Sequence, residues 1–236
     1  MENLKRLSAG AGFLVVTTSA LNAASVSYSF WAYDQYAGST PYYSHFQVGT
    51  STEMDPFTTN PSVAIIDLNH GNPYVYTSIE NSTPTASADR SVGWHRYQFE
   101  FDEPSTTATI LLDGLAIQSM AYSQTPAFFR FVLHDHIGGP QESVIDDFEY
   151  RINGSLVYQQ GFESPTLDSN WIVSRQDPGT YISSDDTSLA HSGVGGLALG
   201  STNSDNNAAI ITFVPEPSSL ALVGLSGLAV AFKRKR

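Results

Sequence analysis

Two dipeptides, Asp113-Gly114 and Asn153-Gly154, constrain this chain more than any other feature, because each stands between two short runs rich in strand-forming residues. Asp-Gly and Asn-Gly tolerate the positive φ that a two-residue type I′ turn requires, and that turn matches the twist of an antiparallel strand pair. The spacing predicts one hairpin from residues 107–112 and 115–120, and a second from 148–152 and 155–159. His70-Gly-Asn-Pro73 predicts a third reversal, between 63–68 and 74–79. Further strands are expected at 25–33, 44–48, 94–102, 127–136, 171–175, 180–183, 196–199 and 208–213, with polar loops at 81–87 and 201–207. Helical periodicity is almost lacking. About a dozen short strands separated by turn residues predict an all-β protein, an antiparallel β-sandwich.

Alternation within two strands says which faces are buried. Tyr97, Phe99 and Phe101 share one face of their strand, opposite Arg96, Gln98, Glu100 and Asp102. Phe129, Phe131 and Leu133 share another, opposite Arg130, His134 and His136. If the two strands lie in one sheet, Arg96, Gln98, Glu100, Arg130, His134 and His136 form a single polar surface suited to hydrogen-bonding sugar hydroxyls. The pair His134 and His136 also has a spacing that a transition metal can use, although no third ligand stands close in sequence. Trp31, Tyr33, Tyr36, Tyr42 and Tyr43 form an early aromatic group able to stack on pyranose rings, set against the demand of the core for most aromatic side chains.

The ends of the chain read as addresses rather than as fold. Lys5 and Arg6 precede a small apolar run at residues 8–16 and several small-residue cleavage sites at 18–25, the pattern of a secretory signal peptide over residues 1–24. At the other end, Pro215-Glu-Pro217 is followed by fifteen uncharged residues, 218–232, and then Lys233, Arg234, Lys235 and Arg236. Prolines break a strand and suit the first turn of a helix. Fifteen residues make about 22 Å of helix against a hydrocarbon core of about 30 Å, a short span. The basic cluster should stay cytoplasmic, which places Pro-Glu-Pro on the outer side. Residues 214–236 resemble the PEP-CTERM sorting tail of exopolysaccharide-producing Gram-negative bacteria. That resemblance implies export, transient residence in the inner membrane, processing by an exosortase at Pro215, Glu216 and Pro217, and delivery to the cell surface or extracellular matrix.

Between these ends, residues 25–213 form the expected β-sandwich domain. Of the eleven Lys and Arg residues only Arg90, Arg96, Arg130, Arg151 and Arg175 lie there, against twenty-one of the twenty-three acids, a net charge of −16. So acidic a surface repels nucleic acid and anionic lipid. With no cysteine, the domain has neither disulfides nor thiolate metal ligands and stands on its core alone.

Val92-Gly-Trp-His-Arg-Tyr-Gln-Phe-Glu-Phe101, Thr109-Ile-Leu-Leu-Asp-Gly114 and Val144-Ile-Asp-Asp-Phe-Glu149 resemble the pattern of concanavalin-A-like and laminin-G-like jelly rolls. Gly161-Phe-Glu163, Trp171, Ala190-His-Ser-Gly193 and Leu197-Ala-Leu199 are similar to the opening of jelly-roll carbohydrate-binding modules, an opening that normally precedes the Asp-Asp strand. Here it follows, so the resemblance implies either a circular permutant or an appended half-sandwich. It further implies a structural calcium ion, with Asp146, Asp147 and Glu163 as hard oxygen ligands. Strict alternation, however, lets only one of Asp146 and Asp147 face a given site.

These readings converge on an exported, non-enzymatic domain that binds or organises exopolysaccharide. The alternatives are a structural matrix protein without a defined ligand and a polysaccharide lyase or hydrolase. For the latter Glu100 and Asp102, on one strand face, are the best carboxylate pair. The chain has no nucleophile elbow, zincin helix or phosphate loop.

Overall fold

The structure is a computed structural model that describes residues 25–35, 42–50, 62–69, 71–80, 82–135, 141–202 and 207–215. Leader residues 1–24, His136, Tyr36 and the tail from Glu216 onward, with Pro217, Lys233, Arg234, Lys235 and Arg236, lie outside the described residues.

Fifteen strands and no helix make up the described residues: β1 Val26–Asp34, β2 Tyr42–Gly49, β3 Ser62–Asn69, β4 Tyr74–Ile79, β5 Thr85–Asp89, β6 Gly93–Asp102, β7 Thr107–Leu112, β8 Leu115–Ala121, β9 Phe128–Asp135, β10 Gln141–Ile152, β11 Ser155–Gln160, β12 Trp171–Gln176, β13 Thr180–Asp186, β14 Gly196–Ser201 and β15 Asn207–Phe213. They form two antiparallel sheets. One runs β13-β14-β10-β1-β6-β7-β8, with β11 also paired to β10, and the other runs β12-β15-β9-β2-β3-β4-β5. Residues after β10 therefore add strands to both layers and share one core with the rest.

Local chemistry explains the tight turns. Asp113 and Gly114 have φ of 50° and 79°, and Asn153 and Gly154 have 50° and 75°, the two positive values of the expected type I′ turn. β5 occupies part of the stretch read as a polar loop: Thr85, Ala86 and Ala88 pair with β4 at the sheet edge, where Ala88 is partly buried against the core and most of the strand is exposed. β10 starts seven residues before the strand expected at 148. Its first seven residues contain Glu142, Asp146 and Asp147, which mask the strand signal in a sequence.

Tyr97, Phe99 and Phe101, and likewise Phe129, Phe131 and Leu133, are buried as alternation requires. They nevertheless belong to opposite layers, β6 to one sheet and β9 to the other. Ring contacts cross the interface between the layers, with Phe30 and Phe129 centroids 5.0 Å apart and Phe129 and Phe148 4.9 Å apart. Each fully buried ring contributes about 1.5–3 kcal/mol relative to exposure. One end of the sandwich is closed by a buried ion pair, in which Arg90 Nε donates to Asp34 Oδ2 at 2.7 Å and Nη1 to the Asn69 carbonyl at 2.6 Å.

Candidate ligand-binding site

The site begins with a gap beside β10. On one side of this strand, residues 141–145 pair with β14 and residues 148–152 with β11, leaving Asp146 and Asp147 without a strand partner there. On the other side the register with β1 shifts between Ser29 and Trp31, and Asp147 has a φ of 49°. The result is a β-bulge, which re-aims side chains at a strand's break. Alternation is suspended at that point, and both carboxylates turn to the same loop.

That loop is 190–194. Asp146 Oδ2 accepts the backbone N–H groups of His191 at 2.9 Å and Ser192 at 3.0 Å, while its Oδ1 accepts that of Asp147 at 2.7 Å. Asp147 accepts Ser192 Oγ at 2.7 Å and His191 Nδ1 at 2.8 Å. Glu163 Oε2 takes the Val194 N–H at 2.9 Å. Gly193 has a φ of 60°, and a Cβ there would lie 1.7 Å from Glu163 Oε1, so only glycine lets this carboxylate approach. Burial pushes the Asp146 carboxyl above its ordinary range, against the lowering effect of its three N–H donors.

The three carboxylates expected at a calcium site are thus brought together, but as acceptors for one loop. Both oxygens of Asp146 and of Asp147, and Oε2 of Glu163, are engaged by N–H and O–H donors, and among the described residues no group of three or more His, Asp or Glu side chains is arranged to hold a metal ion. As arranged, this donor set does not form a calcium shell.

Held in this way, the loop lays His191 on the outer face of the sheet. Its ring stacks on Trp31 with centroids 3.9 Å apart and planes 13° from parallel, and meets Trp94 edge-on at 5.5 Å. Tyr33 in turn meets Trp94 edge-on at 5.5 Å. Trp31, Tyr33 and Trp94 are half-buried. With its Nδ1–H given to Asp147, the neutral His191 ring presents Nε2 as an acceptor.

Beside this aromatic shelf runs a polar row, because Trp31 pairs across strands with Arg96 and Ser29 with both Gln98 and Glu149. Arg96 Nη2 lies 3.6 Å from Glu149 Oε2, which also accepts Arg151 Nε at 3.1 Å. Gln98 Nε2 donates to Glu100 Oε1 at 3.3 Å. Arg96, Gln98 and Glu100 therefore line one surface with the aromatic shelf.

Arg130 and His134 do not join them. They occupy the outer face of the other sheet, a consequence of β6 and β9 lying in different layers. Arg130 is buried, with Nε on Thr212 Oγ1 at 3.2 Å, and desolvation lowers its pKa. The shared polar surface expected from alternation is thus two separate faces. The pairing of His191 with Trp31 could not be read from spacing, since 160 positions separate them; the only signal was the Ala190-His-Ser-Gly193 motif itself.

Glu100 and Asp102 border a shallow cleft of about 330 Å³ with Ser25, Val26 and Gly154. Hydrogen bonds from Ser105 and Ser25 hold Asp102 below the ordinary carboxylate range, the reverse of what a glycosidase's general acid needs.

Residues 213–236 match the PEP-CTERM protein-sorting motif. The PEP-CTERM match implies export, membrane-anchored transit before processing and an exosortase as the processing partner. It begins at Phe213, the last residue of β15, whose ring is buried in the sandwich core, and takes in Val214 and Pro215 beyond the strand. No curated protein matches the chain in sequence. Among solved structures, the crystal structure of scytalido-glutamic peptidase with a transition state analog inhibitor covers 77% of this chain and 97% of its own at 14% identity, with a TM-score of 0.38. A likeness at that level carries no argument about function.

Proposed function

We propose that the β-sandwich is a non-catalytic glycan-binding module, delivered by its PEP-CTERM tail to the cell surface or extracellular matrix, where it holds or organises exopolysaccharide. The observation that supports this reading is the shelf of Trp31, Tyr33, Trp94 and His191 beside the polar row of Arg96, Gln98, Glu100 and Glu149. A pyranose has an apolar C–H face that stacks on an aromatic ring and an equatorial rim of hydroxyls that both donate and accept. Arginine and glutamine amide groups donate to such hydroxyls, while carboxylates and His191 Nε2 accept from them.

The test is retention of residues 25–215 on purified exopolysaccharide, followed by an end-group assay of the same polymer. Saturable retention without new reducing or unsaturated ends is expected. No retention and no cleavage would assign the protein a structural role without a ligand; new chain ends would make it an enzyme and turn attention to Glu100 and Asp102.

A further inference from the structure

Both ends of the described domain leave it at one place. Ser25 donates its backbone N–H to Asn153 Oδ1 at 3.0 Å and accepts the Asn153 N–H at 2.8 Å. At the other terminus the Val214 N–H donates to the Asn170 carbonyl at 2.8 Å. Pro215 then lines a cleft of about 310 Å³ with Tyr150, Val157, Tyr158, Asp168, Asn170 and Phe213. Tyr150 and Val157 belong to the hairpin whose turn is Asn153-Gly154, so the same turn lies next to both termini.

Little chain separates this end from the apolar run. From Val214 to Leu220, the first apolar residue of that run, there are six residue steps, which span at most about 21 Å when fully extended. The headgroup layer on each side of the hydrocarbon takes up about 6 Å of that reach. Near the exit stand two exposed apolar side chains on β11, Leu156 at 46% and Val157 at 56%. Val92 at the opposite end is as exposed as Val157, so what sets Leu156 and Val157 apart is their place beside the membrane tether.

We infer that the Asn153-Gly154 end of the sandwich is a membrane-docking surface, on which Leu156 and Val157 rest against the phospholipid interface while the tail is uncut. The occupant is lipid because so short a tether keeps this end of the domain beside the headgroup layer. Charge does not hold it there, since residues 25–213 carry −16 and no lysine. Docking thus depends on the tether and ends with processing. β1 and β6 pair Val26 with Phe101 at this end and Tyr33 with Trp94 at the other. Seven residues of strand place Tyr33 about 23 Å further out.

The chain contains no cysteine, so single-cysteine variants of the full-length protein report cleanly. Leu156→Cys, Val157→Cys and, at the far end, Val92→Cys would be labelled with an environment-sensitive fluorophore. Each would be reconstituted in phosphatidylethanolamine–phosphatidylglycerol vesicles carrying a headgroup quencher. Quenching at 156 and 157 is expected to exceed that at 92 by about fivefold or more. Equal quenching at the three positions, stronger quenching at 92, or none anywhere would overturn the inference. So would protection of 156 and 157 that appears only in native membranes and not in lipid alone, because the occupant would then be a protein.

Discussion

The His191 ring lies flat on Trp31 at 3.9 Å while its Nδ1 donates to Asp147 Oδ2 at 2.8 Å, so one carboxylate from the bulge in β10 fixes the orientation of a ring over β1. A stacked, hydrogen-bonded imidazole has little rotamer freedom left to lose, which favours binding by lowering the ordering cost.

Trp94→Ala should weaken retention on exopolysaccharide about tenfold, about 1.4 kcal/mol, with an unchanged far-ultraviolet circular dichroism spectrum. His191→Ala should weaken it similarly. Affinity electrophoresis across a polysaccharide series measures both. Retention unaltered in both variants would remove the aromatic shelf from the binding surface.

Asp146→Ala would leave three backbone N–H groups without their acceptor in a buried place. Unsatisfied donors cost about 1–3 kcal/mol each when fully buried, less where water reaches them. A loss of about 2–4 kcal/mol in urea unfolding is expected, and hydrogen exchange should quicken at residues 191 and 192 specifically. Calcium or EDTA should leave the melting temperature of the unaltered protein in place, because the carboxylates already serve the loop; a calcium-dependent rise would show that they rearrange around the ion.

The pH dependence follows from direction. Burial raises the pKa of Asp146 above its unfolded value, so the folded state binds the proton more readily between the two. In that window, from about pH 4 up to the folded pKa, the Asp146 contribution to stability falls as pH rises. Asp102 and Asp177 have lowered values, so their contribution is present above about pH 4 and disappears as pH falls through their folded values. Urea unfolding of Asp146→Asn from about pH 2 to 7 should lack the first component and keep the second. Parallel profiles for variant and parent would refute the assignment.

Arg90→Ala should cost about 3–5 kcal/mol, because it strands the buried Asp34 carboxylate. The double variant Asp34→Leu with Arg90→Met should recover much of that loss. A double-mutant cycle in urea separates the interaction from the cost of the orphaned charge.

Hairpin chemistry was legible in the sequence because it is local: Asp113-Gly114 and Asn153-Gly154 carry their turn type in two residues. Burial of Tyr97, Phe99, Phe101, Phe129, Phe131 and Leu133 was legible because a strand's period is two. The same period says nothing about which sheet a strand joins, and so Arg96 and Arg130 could be placed on outer faces but not on different ones. Asp146 and Asp147 were recognisable as a pair with Glu163. Their joint direction depends on a bulge created where β10 changes partners, a property of the assembled sheet. Trp31 stood out as an aromatic residue, yet its contact with His191 depends on that bulge.

The tail is attached to β15, and β15 is not an edge: it is paired with β12 on one side and β9 on the other. Antiparallel hydrogen bonds lie across the strand axis. Tension along the tail therefore loads both ladders in shear, all at once, instead of peeling a border strand away bond by bond. A pull on the anchored tail is thus carried by β12 and β9 together.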